Sequence, residues 1–216
     1  MEVSVSREKI LRRIRKALAT PLAAPFLPQH LQGVIYPPPA DDLSILFATE
    51  FTRLLGQFAY CADEAELCSH IAALAKEKSW ADIFCLDEAI HALFDRNGLG
   101  QLPCSGQLLE CDASITRCEA LVARTGSMLL SAAQPQGRTS SVHAPVHVCI
   151  AWTSQLVYDV SDAFNLMKSK YGNHLPSAMS LATGPSRTAD IEKTLVVGVH
   201  GPGEVYCFLV EDGGRP

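Results

Sequence analysis

Residues 179–203 read MSLATGPSRTADIEKTLVVGVHGPG. An apolar run at 179–183 has the length and residue choice of a short strand. It opens onto Thr183-Gly184-Pro185-Ser186-Arg187-Thr188-Ala189-Asp190-Ile191-Glu192. A glycine and small hydroxyls directly after a strand can expose consecutive backbone N–H groups, forming a nest for an anion. Arg187 can add a planar fork for a carboxylate or phosphate. Asp190 can orient a catalytic group, or cap a short helix in an ordinary tight turn. The stretch closes with Gly198-Val199-His200-Gly201-Pro202-Gly203, ahead of a strand at 205–210. Its glycines suit a hairpin, but a histidine inside the turn is less expected from geometry alone. Histidine as a residue type changes charge near neutrality, which makes His200 a candidate acid or base.

The same strand–loop grammar extends in both directions. Arg124-Thr125-Gly126-Ser127 leads into a strand at 127–132, and Gly137-Arg138-Thr139-Ser140-Ser141 follows it. With Thr125, Gly126 and Arg138 this reads as a small polar floor with one cation. His143-Ala144-Pro145-Val146-His147 precedes an apolar strand at 146–152. On a helix, His-x3-His would share one face and bind zinc. Here Pro145 intervenes, and four residues of strand separate the rings by about 13 Å. No metal site is expected, and His147 reads as a positioned or core histidine.

Further strands are expected at 58–61, 82–86 and 108–111, and helices at 42–58, 63–78, 88–97, 114–123 and 154–168. Short apolar strands alternating with helices predict an α/β domain around a mostly parallel sheet, with helices on both faces. The domain is expected to span residues 41–216. Ahead of it lie a helix at 6–19 and a connector at 21–39 that holds six of the thirteen prolines. The helix carries Arg7, Lys9, Arg12, Arg13, Arg15 and Lys16, one third of the chain's 18 basic residues. Such a face is simply solvated, a docking arm for an acidic partner, or a contact for RNA or a membrane, though one short helix gives few phosphate contacts.

Composition narrows the function. The 216 residues are 48% apolar and 19% charged with a net charge of −5, a globular profile without the positive surplus of a nucleic-acid binder. No apolar run reaches the 18 or more residues of a membrane span, and residues 1–20 lack the apolar core of a secretory signal. A cytoplasmic protein is expected. Eight cysteines occur without a single Cys-x-x-Cys pair, so no iron–sulfur, zinc or thioredoxin motif is legible and no cofactor is expected. There is no P-loop, no Gly-x-Gly-x-x-Gly and no Gly-x-Ser-x-Gly elbow.

Taken together, Thr125-Gly126-Ser127, Arg138, Pro145-x-His147 and the pair of loops at 184–192 and 198–202 resemble the LUD-domain family, in its lactate utilization protein C branch. The basic helix at 6–19 is similar to the family's usual start. The resemblance implies a sheet domain like that of the ribose-5-phosphate isomerase, glucosamine-phosphate deaminase and CoA-transferase superfamily. It also implies a non-cluster subunit in the oxidation of L-lactate to pyruvate, working beside iron–sulfur partner proteins, with a cleft for a small anionic ligand. The alternative is a free-standing enzyme acting on a sugar phosphate, folate derivative or CoA ester. His200 or His147 would then be its acid/base, with Asp190 orienting it. In either case Thr125, Gly126, Arg138, Gly184, Ser186, Arg187, Thr188 and Gly201 are the expected ligand contacts. One departure stands out. The family typically carries an acidic residue before the Thr-Gly, where this chain has Arg124, a change of two charge units.

Overall fold

The computed structural model describes residues 5–19, 42–135, 137–188, 196–198 and 200–212. The chain divides into a unit of residues 1–38 and a unit of residues 39–216. In the first, helix α1 (Val5–Leu18) has every side chain from Arg7 onward exposed. Ile10, Leu11, Ile14 and Leu18 form an apolar stripe on it, open to solvent and flanked by the basic residues. The proline-rich connector lies outside the described residues, except for its surroundings at Ala19 and Asp42.

The second unit is built on a six-stranded, all-parallel sheet. Its strands are β1 (Gln57–Cys61), β2 (Ile83–Phe84), β3 (Cys104–Ser105), β4 (Ala113–Arg117), β7 (Val146–Trp152) and β12 (Glu204–Val210), in the order β1-β12-β7-β4-β2-β3. The central strands are apolar at nearly every position because both faces are covered, as expected for parallel sheets. Alternation divides them between two cores. Ala113, Ile115, Val146, Val148, Ile150, Tyr206, Phe208 and Val210 pack against helices α3 (Glu64–Glu77) and α4 (Glu88–Arg96). Cys149, Ala151, Val205, Cys207 and Leu209 point to the other face, against Phe47 and Phe51 of α2 (Leu43–Arg53).

That second face is also covered by a four-stranded mixed sheet, which the sequence pattern did not disclose. It comprises β5 (Ala120–Val122), β6 (Ser127–Ser131), β8 (Leu156–Val157) and β9 (Met179–Ala182), in the order β8-β5-β6-β9. Helix α6 (Val160–Tyr171) closes its far side through Ala163 and Met167. Two expected elements change as a result. Residues 114–123, expected as a helix, are two strands, because the β-branched run Ile115, Thr116 and Val122 is buried within the sheets. The helix expected at 154–168 starts later, at Val160. Leu156 and Val157 first pair with β5, and Asp159 then caps the helix. The strand expected at 108–111 is absent, and the sheet edge is formed instead by Cys104–Ser105.

Candidate functional site

The two loops that open the sequence reading meet in space. The backbone N–H of Ser186 donates to the Pro202 carbonyl, Gly198 N–H donates to the Ser186 carbonyl, and Gly203 N–H donates to the Pro145 carbonyl. A two-stranded ribbon of β10 (Arg187–Thr188) and β11 (Val196–Val197) continues the first loop into the second. Gly201 allows this approach, since a Cβ there would lie 2.9 Å from the Cβ of Ser186. Beneath the joined loops lie the N-terminal ends of β7 and β12 and the four-residue helix α5 (Ser140–His143).

The junction encloses a cleft of about 130 Å³ lined by Gly184, Ser186, His200, Gly201, His147 and Ser141, with Val142, Ala182, Pro202 and Val205 completing its wall. Five of the expected site residues are therefore neighbours: His147, Gly184, Ser186, His200 and Gly201. His200 is exposed at the mouth, whereas His147 is buried, at 1% exposure, in the floor. Burial pushes the His147 imidazole down to about 4, so this ring is uncharged at neutral pH. Its Nε2 is hydrogen-bonded to Thr116 Oγ1 at 2.9 Å.

The other expected residues are distributed around the cleft. Arg138 sits in an adjoining depression with Ser131, Ser141 and Ser180, and its guanidinium donates to Ser177 Oγ at 2.6 Å. Arg187 is exposed and donates to the Leu54 carbonyl at the end of α2. Thr125 Oγ1 is bonded to Ser127 Oγ, which is bonded in turn to Thr183 Oγ1, a short hydroxyl ladder leading to Gly184. Gly126, at φ +58°, presses on the α2 backbone, where a Cβ would approach Phe51 N to 2.5 Å. Thr188 belongs to β10, and only its backbone is described. Asp190 lies outside the described residues. The cleft's walls thus bring hydroxyls and two imidazoles together, while Arg138 and Arg187 stand outside its lining.

Arg124 has a different place. Its guanidinium donates to Asp159 Oδ1 at 2.7 and 3.1 Å, and its N–H donates to the Tyr158 carbonyl. It therefore fastens the 3-10 turn at Ala123–Thr125 to the start of α6, away from the cleft lining.

Behind the cleft runs a polar seam that sequence reasoning missed. Ser114 is in register with His147, and Thr116 with Cys149, on adjacent strands. Ser114 Oγ donates to the Ser140 carbonyl at 2.8 Å, and Ser114, Thr116, Ser140 and His147 are all buried. The Ser140 hydroxyl has no hydrogen-bond partner among the described residues. The signal was present as Ser114-x-Thr116, a period of two, but the helix expected there would have turned those side chains apart.

The comparisons with known proteins fall on this architecture. A structural neighbour from Deinococcus radiodurans, described as a DUF162 family protein, has a TM-score of 0.56 at 22% identity, covering 78% of this chain and 96% of its own, and so shares the fold. Lactate utilization protein C of Bacillus licheniformis is 34% identical over 48% of this chain and 44% of its own length. The protein of the same name from an Exiguobacterium strain is 29% identical over 96% of both chains. The matched region thus spans less than half the length of several of these curated relatives, the Bacillus protein among them. The LUD domain profile matches residues 46–210, which hold both sheets, the seam and the cleft. With the profile over most of its length and the fold shared with a solved relative, this chain belongs to the LUD domain family.

Proposed function

We propose that this chain is a non-cluster subunit of a lactate utilization system, oxidising L-lactate to pyruvate together with iron–sulfur partner proteins in the cytoplasm. The observation that carries the reading is the junction of loops 183–186 and 198–203 over His147, within a domain whose relatives are named lactate utilization protein C. The cleft is the small-anion site of this reading. At about 130 Å³ it is well below the roughly 300 Å³ where pockets for drug-sized ligands begin, a size that favours a three-carbon acid over a whole CoA ester or folate. His200, exposed at the mouth, is the acid/base candidate of this reading. Gly184, Ser186 and Gly201 supply backbone and hydroxyl contacts, with Arg138 and Arg187 on the approaches, Thr125 and Gly126 on a neighbouring loop and Thr188 in β10. The cysteines favour partner-held redox centres, because seven of the eight are buried and the eighth is half-buried. Helix α1 supports docking through its solvent-open apolar stripe ringed by six cations. No described helix is long and apolar enough to cross a membrane.

Two measurements test this together. Co-expressed with the cysteine-rich proteins of a lactate utilization system, the chain is expected to co-purify with them. Titration calorimetry of the chain alone is expected to show L-lactate or pyruvate binding that Ser186→Ala and His200→Ala each weaken about tenfold, the loss of one charge-assisted hydrogen bond. A chain that binds no partner and turns over a small anion by itself would instead establish the free-standing enzyme, with His200 as its acid/base.

A further inference from the structure

Nothing in the proposed function requires Thr116, yet among the described residues it is the one side chain hydrogen-bonded to the cleft's buried histidine. Thr116 lies on β4 and His147 on β7, both directed to the same side of the parallel sheet. Among the described residues, no hydrogen bond engages His147 Nδ1. A hydrogen bond at one nitrogen fixes the orientation of an imidazole, and because a hydroxyl can donate or accept, the tautomer follows from which of the two it does. When the hydroxyl donates to Nε2, Nδ1 must carry the proton, and it then offers an N–H to whatever occupies the cleft. Ligand anions need donors, and among the described residues the cleft lining contains no arginine or lysine.

The surroundings suit that assignment. Ser114 fixes the backbone of Ser140, the first residue of α5, and Ser141 beside it lines the cleft. The Ser140 hydroxyl, buried and without a partner among the described residues, is a polar group of the kind that native structures normally satisfy.

We propose that Thr116 is a positioning residue of the cleft: it holds His147 as a neutral Nδ1–H imidazole that donates to the 2-oxygen or carboxylate of a small 2-hydroxy or 2-oxo acid. This rests on the small-anion reading of the cleft and adds to it the residue that decides how its histidine faces the ligand.

The test uses the full chain with L-lactate and pyruvate as probes, together with 15N-labelled histidine. In the ligand-free protein, the ring 15N shifts of His147 are expected to report the Nδ1–H tautomer. Thr116→Val, close in shape but lacking the hydroxyl, is expected to mix the tautomers and weaken binding of the acid roughly three- to tenfold, the range for one neutral hydrogen bond. Thr116→Ser, which keeps the hydroxyl, is expected to restore both the shifts and the affinity to within about twofold. A folded Thr116→Val protein with wild-type affinity and unchanged His147 shifts overturns the assignment while leaving the cleft's function standing. An Nε2–H tautomer in the wild type overturns it too. Should wild type bind neither acid, the small-anion reading fails and the ligand half of this proposal falls with it. The tautomer shifts then judge Thr116's hold on His147 alone.

Discussion

At the scale of single residues, His147 is the most consequential placement in the molecule. Burial depresses its imidazole from an ordinary value near 6.5 to about 4. The unfolded chain therefore takes up a proton between these values that the native chain refuses. Native stability from this group is complete above about pH 6.5 and is lost as the pH falls toward 4, by up to roughly 3 kcal/mol. His147→Gln places an amide where Nε2 meets Thr116 and removes the titration. We expect the stability difference between wild type and His147→Gln to stay constant above pH 7. Below it, denaturant melts at successive pH values should move in favour of the variant, and parallel curves down to pH 4 would contradict the burial argument. The same residue illustrates why site residues were only partly legible. Its value as a candidate came from Pro145-x-His147 beside an apolar run. Its partner Thr116 sits 31 residues away on a segment expected as a helix, so nothing in the local pattern joined them.

At the scale of elements, Arg124 and Asp159 show how one charged pair can serve structure. Asp159 caps α6 through the N–H of Val160 and accepts both hydrogen bonds from Arg124. Burial works against its charge, but the Arg124 bonds outweigh it and hold the carboxyl below its usual value. Asp159→Ala should cost about 1–2 kcal/mol, mostly the cap, and lower Tm by roughly 2–8 °C. Arg124→Ala should cost less, since half-exposed pairs contribute little. Arg124→Glu should cost more than Arg124→Ala, because it sets a second carboxylate against Asp159. Differential scanning calorimetry of the three variants gives that ranking. Equal melts for the alanine and glutamate variants would mean the two side chains do not share a site in solution. Binding of small acids should be unaffected in all three, as Arg124 is not part of the cleft lining. Neighbouring elements follow the same logic. Glu119, in the turn between β4 and β5, is buried but accepts from Lys170, Tyr171 and Ser131, tying the small sheet to the end of α6.

At the scale of the whole molecule, the two cores share one wall. β7 and β12 contribute to both, with alternate side chains facing the α3–α4 layer and the α2–small-sheet layer. Opening either layer exposes the same strands, so the centre of the large sheet should unfold only globally. Amide exchange is expected to be slowest in β4, β7 and β12. It should be faster in the two-residue strands β3 and β8, which lie at sheet edges. If β7 and β8 exchanged at one rate, the layers would not be separable in this way.

What can be read along the chain is what local physics specifies. The apolar runs at 146–152 and 205–210 have the continuous character of strands covered on both faces, and they are the central strands. Asp63, Asp87 and the residues after them mark helix starts that the structure keeps within one residue of expectation. The glycine- and hydroxyl-rich loops announce themselves because positive φ and close approach restrict the residue types allowed there. Three things depended on contacts distant in sequence. The second sheet forms because residues 120–122 find β6 and β8 as partners, and strand pairing overrides a weak local preference. The cleft exists because loops 183–186 and 198–203 are drawn onto the ends of β7 and β12 by backbone hydrogen bonds. The protonation state of His147 follows from its burial and its neighbour from β4, and both arise only when the sheet has assembled.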